Sequence, residues 1–187
     1  MTGRTQLAVP WFIITKPFTC HDGEAWDKYV AWSGLGHLDE VVSLDPMLCP
    51  TLLPEIRSEY WPHIVNEDFM LNFFVDLHFL LEQVPDRGPS NLLCVYRNPA
   101  NPPPPDENPV RFELLGYDLV DVEGSASALS NCGGFPDVFS NAELSSKGLL
   151  TSHARALQVQ ADLRSRHPAE HHANCHVWAI SRAVKLG

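Results

Sequence analysis

The chain has 187 residues, 44% of them hydrophobic and 19% charged, which suits one globular domain and excludes a wholly disordered chain. A net charge of −10 argues against non-specific nucleic-acid binding, which needs a cationic surface. No run approaches the roughly 18 apolar residues of a membrane span, and the first ten residues lack the apolar core of a secretory signal. Five dispersed cysteines with no C-x-x-C pair read as free thiols in a reducing compartment, so a cytoplasmic location is expected.

The elements follow in chain order. Residues 7–14 are apolar and β-branched up to Lys16-Pro17 and predict a strand. Asp22 is the expected N-cap of a helix over 23–32, with Trp26, Tyr29 and Val30 on one face and Gly34 and Gly36 ending it. A short strand over 41–44 and a short helix over 51–60, with Pro54 in its first turn, come next. Over 68–84 the polar Asp68, Asn72, Asp76 and Gln83 fall on a narrow stripe at helical spacing among Phe, Leu and Met, which predicts a long, mostly buried helix. His78 lies on its apolar side, as a core histidine.

Residues 92–96 and 110–120 read as two antiparallel strands joined by an exposed Pro-rich loop at 98–109. Gly116 inside the second strand suggests a bulge, and Asp118 beside it needs a partner, for which the loop carrying Ser127 and Ser130 is the nearest source. The small, polar stretch 124–134 is an ordered loop, and 141–147 hold one helical turn. Thr151 or Ser152 caps a helix to Arg166 whose apolar face is Leu150, Ala154, Leu157 and Ala161. Residues 174–184 form a strand with Cys175, Val177 and Ala179 on one face and Trp178, Ile180 and Val184 on the other, the pattern of an interior strand. Irregular mixing of strands and helices predicts a single α+β domain with a mixed or antiparallel sheet.

Two clusters carry candidate chemistry. Glu170-His171-His172-Ala173-Asn174-Cys175-His176 offers imidazole and thiolate ligands suited to zinc, from His171, His172, Cys175 and His176. On a strand Cys175 and His176 point to opposite faces, so a complete site needs distant ligands such as His37, His63 or Asp118. Alternatively the segment is a His-rich turn leading into a buried strand, and no cofactor is involved. The second cluster, Ser130-Asn131-Cys132-Gly133-Gly134, sets a thiol in a turn whose N–H groups suit an oxyanion, and Cys132 with His172 and Asp118 is chemically sufficient for acyl transfer. The same glycines are equally explained by a loop needing positive φ. Tyr117, Asp118, Asn131 and Asn174 are the candidate binding residues.

The succession Leu115-Gly116-Tyr117-Asp118-Leu119, Ser127-Ala128-Leu129-Ser130-Asn131-Cys132-Gly133, Gly148-Leu149-Leu150 and His172-Ala173-Asn174-Cys175 resembles an uncharacterised group of bacterial proteins, from about Phe112 onward. The resemblance implies a bacterial, intracellular origin and assigns no catalytic role.

The charge is uneven. Residues 1–146 hold 7 cationic and 21 anionic side chains, a balance of −14, whereas residues 147–187 hold 6 and 2, a balance of +4. An acidic intracellular binding protein for a partner with a basic surface is therefore expected, in its sharpest form an immunity or inhibitor protein against a basic toxin or enzyme. The alternative is a small metal- or thiol-dependent enzyme built on Cys132, Asp118 and the 172–175 segment.

Overall fold

The computed structural model describes residues 9–55, 57–65, 69–84, 89–100, 110–131 and 134–184. Among these described residues six strands and three α-helices follow in the order β1 (Trp11–Thr15), β2 (Phe18–Thr19), α1 (Glu24–Ser33), β3 (Glu40–Val41), α2 (Leu77–Gln83), β4 (Asn91–Arg97), β5 (Phe112–Val120), α3 (His153–Arg166) and β6 (His176–Ala183). The main sheet is antiparallel, with order β1-β4-β6-β5, and β2 pairs antiparallel with β3 in a second small sheet. The fold is a single α+β domain. Among the described residues no helix is long and apolar enough to cross a membrane.

Strand β6 is interior, as its two apolar faces require. Cys175, Val177 and Ala179 enter one buried cluster while Trp178 and Ile180 enter another, so the main sheet separates two cores. Its position corrects the expected hairpin. β6 lies between β4 and β5, and both pair antiparallel with it, so β4 and β5 run parallel to each other. A parallel relation needs a crossing connection instead of a tight turn. The Pro-rich connection falls, for residues 101–109, outside the described residues.

Two expected helices are corrected. In place of one helix over 68–84, only Leu77–Gln83 is helical, and Asp76 is its N-cap, accepting from the Phe79 N–H at 3.0 Å. The preceding residues are extended: Phe74 and Phe12 exchange both backbone hydrogen bonds at 2.8 Å. Extended backbone sends Phe73 to one core and its neighbour Phe74 to the other, which a helix cannot do. Asp68 lies outside the described residues, and His78 is exposed, not in the core. Over 51–60, Thr51 instead bridges to Thr15 and Leu52 N–H donates to the Ile14 carbonyl at 3.0 Å; among the described residues of this span only Ser58–Tyr60 form a 3-10 turn.

α1 buries Trp26 and Tyr29 as expected, although Gly23 is its N-cap and Asp22 closes a capping box with Thr19 one turn earlier. α3 starts at the Ser152 cap, but its buried face is His153, Ala156, Val159 and Leu163, and Leu157 is exposed. The bulge at Gly116 is present: pairing shifts register between Leu114 and Gly116, where φ is +151°. A β-carbon there would stand 2.6 Å from the Leu150 carbonyl oxygen, so close packing of the 149–150 segment against β5 depends on glycine.

Candidate functional site

The end of β5 carries a buried polar knot. Asp118 is 1% exposed and Asp45 is fully buried. Asp118 Oδ2 accepts from Ser43 Oγ at 2.6 Å and from Leu44 N–H at 3.3 Å, while Oδ1 accepts from Ser127 Oγ at 2.6 Å and Leu119 N–H at 2.8 Å. Asp45 accepts from the N–H groups of Met47 and Ser127 and from Asn131 Nδ2, the last at 2.7 Å. Burial raises the Asp118 pKa, with the Asp45 charge adding to the rise, while the hydroxyls of Ser127 and Ser43 pull it down. The knot ties the 43–47 segment to the 125–131 loop and is closed to solvent. Ser127 is thus the partner that Asp118 needed, whereas Ser130 offers its carbonyl to the Tyr29 hydroxyl at 2.9 Å.

A second place of interest is the 3-10 turn His171–Asn174, which packs against α3 and leads directly into β6. Two clefts meet at this turn and share Val122 and Asn174. One, of about 580 Å³, is lined by Asn98, Val122, Leu157, Gln160, Arg164, Asn174, Cys175 and His176. The other, of about 460 Å³, is lined by Asp121, Val122, Glu123, Ser125, His171 and Asn174. Val122 and Leu157 are nearly half exposed, at 46% and 45%, so the first cleft presents apolar surface beside three amide side chains. The second is anionic. Its Asp121 is held by Ser125 at 2.6 Å and stands 4.0 Å from the His171 imidazole.

The sequence candidates divide between these places. His171, Asn174, Cys175 and His176 line the clefts; Tyr117, Asp118 and His172 are buried; Asn131 braces Asp45; Cys132 lies outside the described residues. The His172 ring lies 3.9 Å from that of His171, tilted by 40°, and meets Phe135 edge-on, and burial followed by the His171 charge lowers its pKa. Burial pushes the Cys175 thiol up to about 12, so it contributes a packed thiol rather than a ready thiolate. His37 bonds the Leu144 carbonyl, and His63 stacks on Phe79 beside Asp76. No group of three His, Cys, Asp or Glu side chains among the described residues is placed to hold a metal ion.

Sequence reasoning missed Asp45, Ser43 and Val122, and set Leu157 on the core face of its helix when it is exposed. Asp45 carried a signal, since an Asp between apolar residues and Pro46 invites a turn-forming side-chain bond, but nothing tied it to Ser127, 82 residues away, which was expected to serve Asp118 alone. Comparison of the chain with known protein families, with curated proteins and with solved structures finds no match.

Proposed function

We propose that the chain is a non-catalytic binding protein that takes a cationic, partly apolar segment of a protein partner into the double cleft at the 171–174 turn. The observation that carries this reading is the shared wall at Val122: a cleft lined by Val122, Leu157, three amide side chains and Arg164 adjoins one carrying Asp121 and Glu123, so the cationic end of the segment belongs in the second cleft and its apolar end in the first. A basic side chain suits the anionic cleft and an aliphatic one suits the apolar surface that Val122 and Leu157 present. In its sharpest form the partner is a basic toxin or enzyme that the chain neutralises as an immunity or inhibitor protein. The net charge of −10 supports fast, steered association with such a partner.

The test uses fluorescence anisotropy with a labelled lysine–leucine peptide and a glutamate–leucine control. The lysine peptide binds, and its affinity falls as salt rises. Glu123→Lys or a Val122→Ser/Leu157→Ser pair weakens binding at least tenfold, while Glu24→Lys on the distant α1 surface changes it less than twofold. Equal affinity for both peptides, or an equal loss with Glu24→Lys, defeats the reading.

The competing reading is a thiol- or metal-dependent enzyme, favoured by the His171–Asp121 approach at the mouth of a cleft. Its nucleophile is Cys132. Alkylation of Cys132 at neutral pH faster than that of the exposed Cys20 would favour it.

A further inference from the structure

The main sheet has two edges, and they are finished differently. Along β1, Phe12 is bridged to Phe74, and the Lys16 N–H donates to the Pro50 carbonyl at 2.9 Å. Along β5, the half beyond the bulge is also covered: Tyr117 exchanges hydrogen bonds with Leu150, and Ala128 N–H donates to the Leu119 carbonyl. Before the bulge, no described residue pairs with the outer side of β5. Val184 N–H donates to the Arg111 carbonyl at 2.9 Å, which fixes the parity of this half. The peptide groups of Arg111 and Glu113 face β6, so those of Phe112 and Leu114 face outward. Leu114 is 46% exposed, and Arg111 and Glu113 lie on one face, paired at 2.9 Å.

We propose that this edge pairs antiparallel with the same edge of a second copy of the chain, centred on Phe112. The parity selects that centre, because hydrogen-bonded pairs form between outward groups: Phe112 with Phe112, and Leu114 with Val110 on each side. Centring on Leu114 would set Phe112 against Gly116, beyond the bulge, where the parity has changed. In the Phe112 register, Arg111 of each copy stands directly opposite Glu113 of the other. Opposite charges across a non-hydrogen-bonded pair attract, and like charges there repel. Charged residues on an edge ordinarily discourage pairing. Opposite charges two residues apart are instead self-complementary about a two-fold axis, while remaining unfavourable to an apolar strand. The contact is small, so the dimer is weak, with a dissociation constant on the order of 100 µM.

Sedimentation velocity from about 10 µM to about 1 mM, a range spanning that constant, tests the pairing on the full chain, with far-UV circular dichroism to confirm that each variant is folded. Arg111→Glu and Glu113→Arg each place like charges opposite each other, and each alone weakens dimerisation at least tenfold. An equimolar mixture of the two variants restores it, because every cross-strand pair is again of opposite sign. Leu114→Pro removes an N–H that no described carbonyl within the chain takes, and it abolishes the dimer too. A wild type that stays monomeric up to the highest concentration overturns the proposal. So does a wild-type dimer accompanied by a mixture that fails to recover, since association then uses another surface.

Discussion

Each oxygen of Asp118 meets one serine hydroxyl and one backbone N–H, so each N–H needs an oxygen beside it, which a carboxyl supplies in either protonation state because a serine hydroxyl can turn to accept its proton. An asparagine must turn its NH₂ toward one of those pairs, and a buried N–H of Leu44 or Leu119 then loses its acceptor. Asp118→Asn therefore destabilises the fold by about 1–3 kcal/mol, read from urea midpoints. The pH dependence of this gap has a definite sign. The folded pKa of Asp118 is raised, chiefly by burial, so its contribution to stability is full below the unfolded value of about 3.9 and declines as pH rises through the folded value. The variant has no such dependence. The difference between wild type and Asp118→Asn should thus narrow on going upward from pH 4, and a gap that widens over that range contradicts the assignment.

Within β5, one glycine governs how the strand meets the chain that follows. Gly116→Ala forces a β-carbon to within 2.6 Å of the Leu150 carbonyl oxygen and 2.9 Å of Leu149 Cβ, at a φ of +151° that L residues rarely adopt. It should cost about 2–4 kcal/mol in a urea or thermal unfolding series; a loss under about 0.5 kcal/mol means the bulge relaxes freely. This glycine was legible in the sequence because it interrupts a largely apolar strand. So was β6, whose two apolar faces specify an interior strand before any partner is known. The extended segment before α2 was not legible: its aromatics repeat at both helical and extended spacing, and only the two separate cores decide between them. In α3 the sequence offers two apolar stripes, and Leu157 lost to Val159 and Leu163 because the sheet underneath sets the rotation. For the site, the His171–His176 segment was visible in composition. The clefts around it depend on Val122 and Leu157, which come from separate elements that no local pattern connects.

Across the whole molecule, the basic balance of the last 41 residues finds use inside the fold. Lys147 reaches Asp39 at 3.0 Å, Arg155 reaches Glu143 at 2.6 Å, and Arg182 reaches Glu40 at 2.7 Å. The charge asymmetry thus describes ion pairs between early and late segments as well as a surplus of anions outside. The Glu40–Arg182 pair matters most, because it joins the small β2–β3 sheet to β6 and is completed by Asn91 at 2.7 Å. Burial pushes the Glu40 carboxyl up, but the Asn91 amide and the Arg182 guanidinium together outweigh it and leave the pKa below the usual range. A depressed folded pKa contributes stability that is present above the unfolded value of about 4.3 and is lost as pH falls through the folded value. Glu40→Gln should accordingly cost about 1–3 kcal/mol at pH 7, since it leaves Arg182 partly buried without its anion. That cost should shrink steadily below about pH 4, as the wild-type carboxyl takes up its own proton. Urea midpoints for both proteins between pH 7 and pH 3 decide the matter: parallel profiles would mean that the two sheets are held together by apolar packing, with the ion pair contributing nothing that titrates.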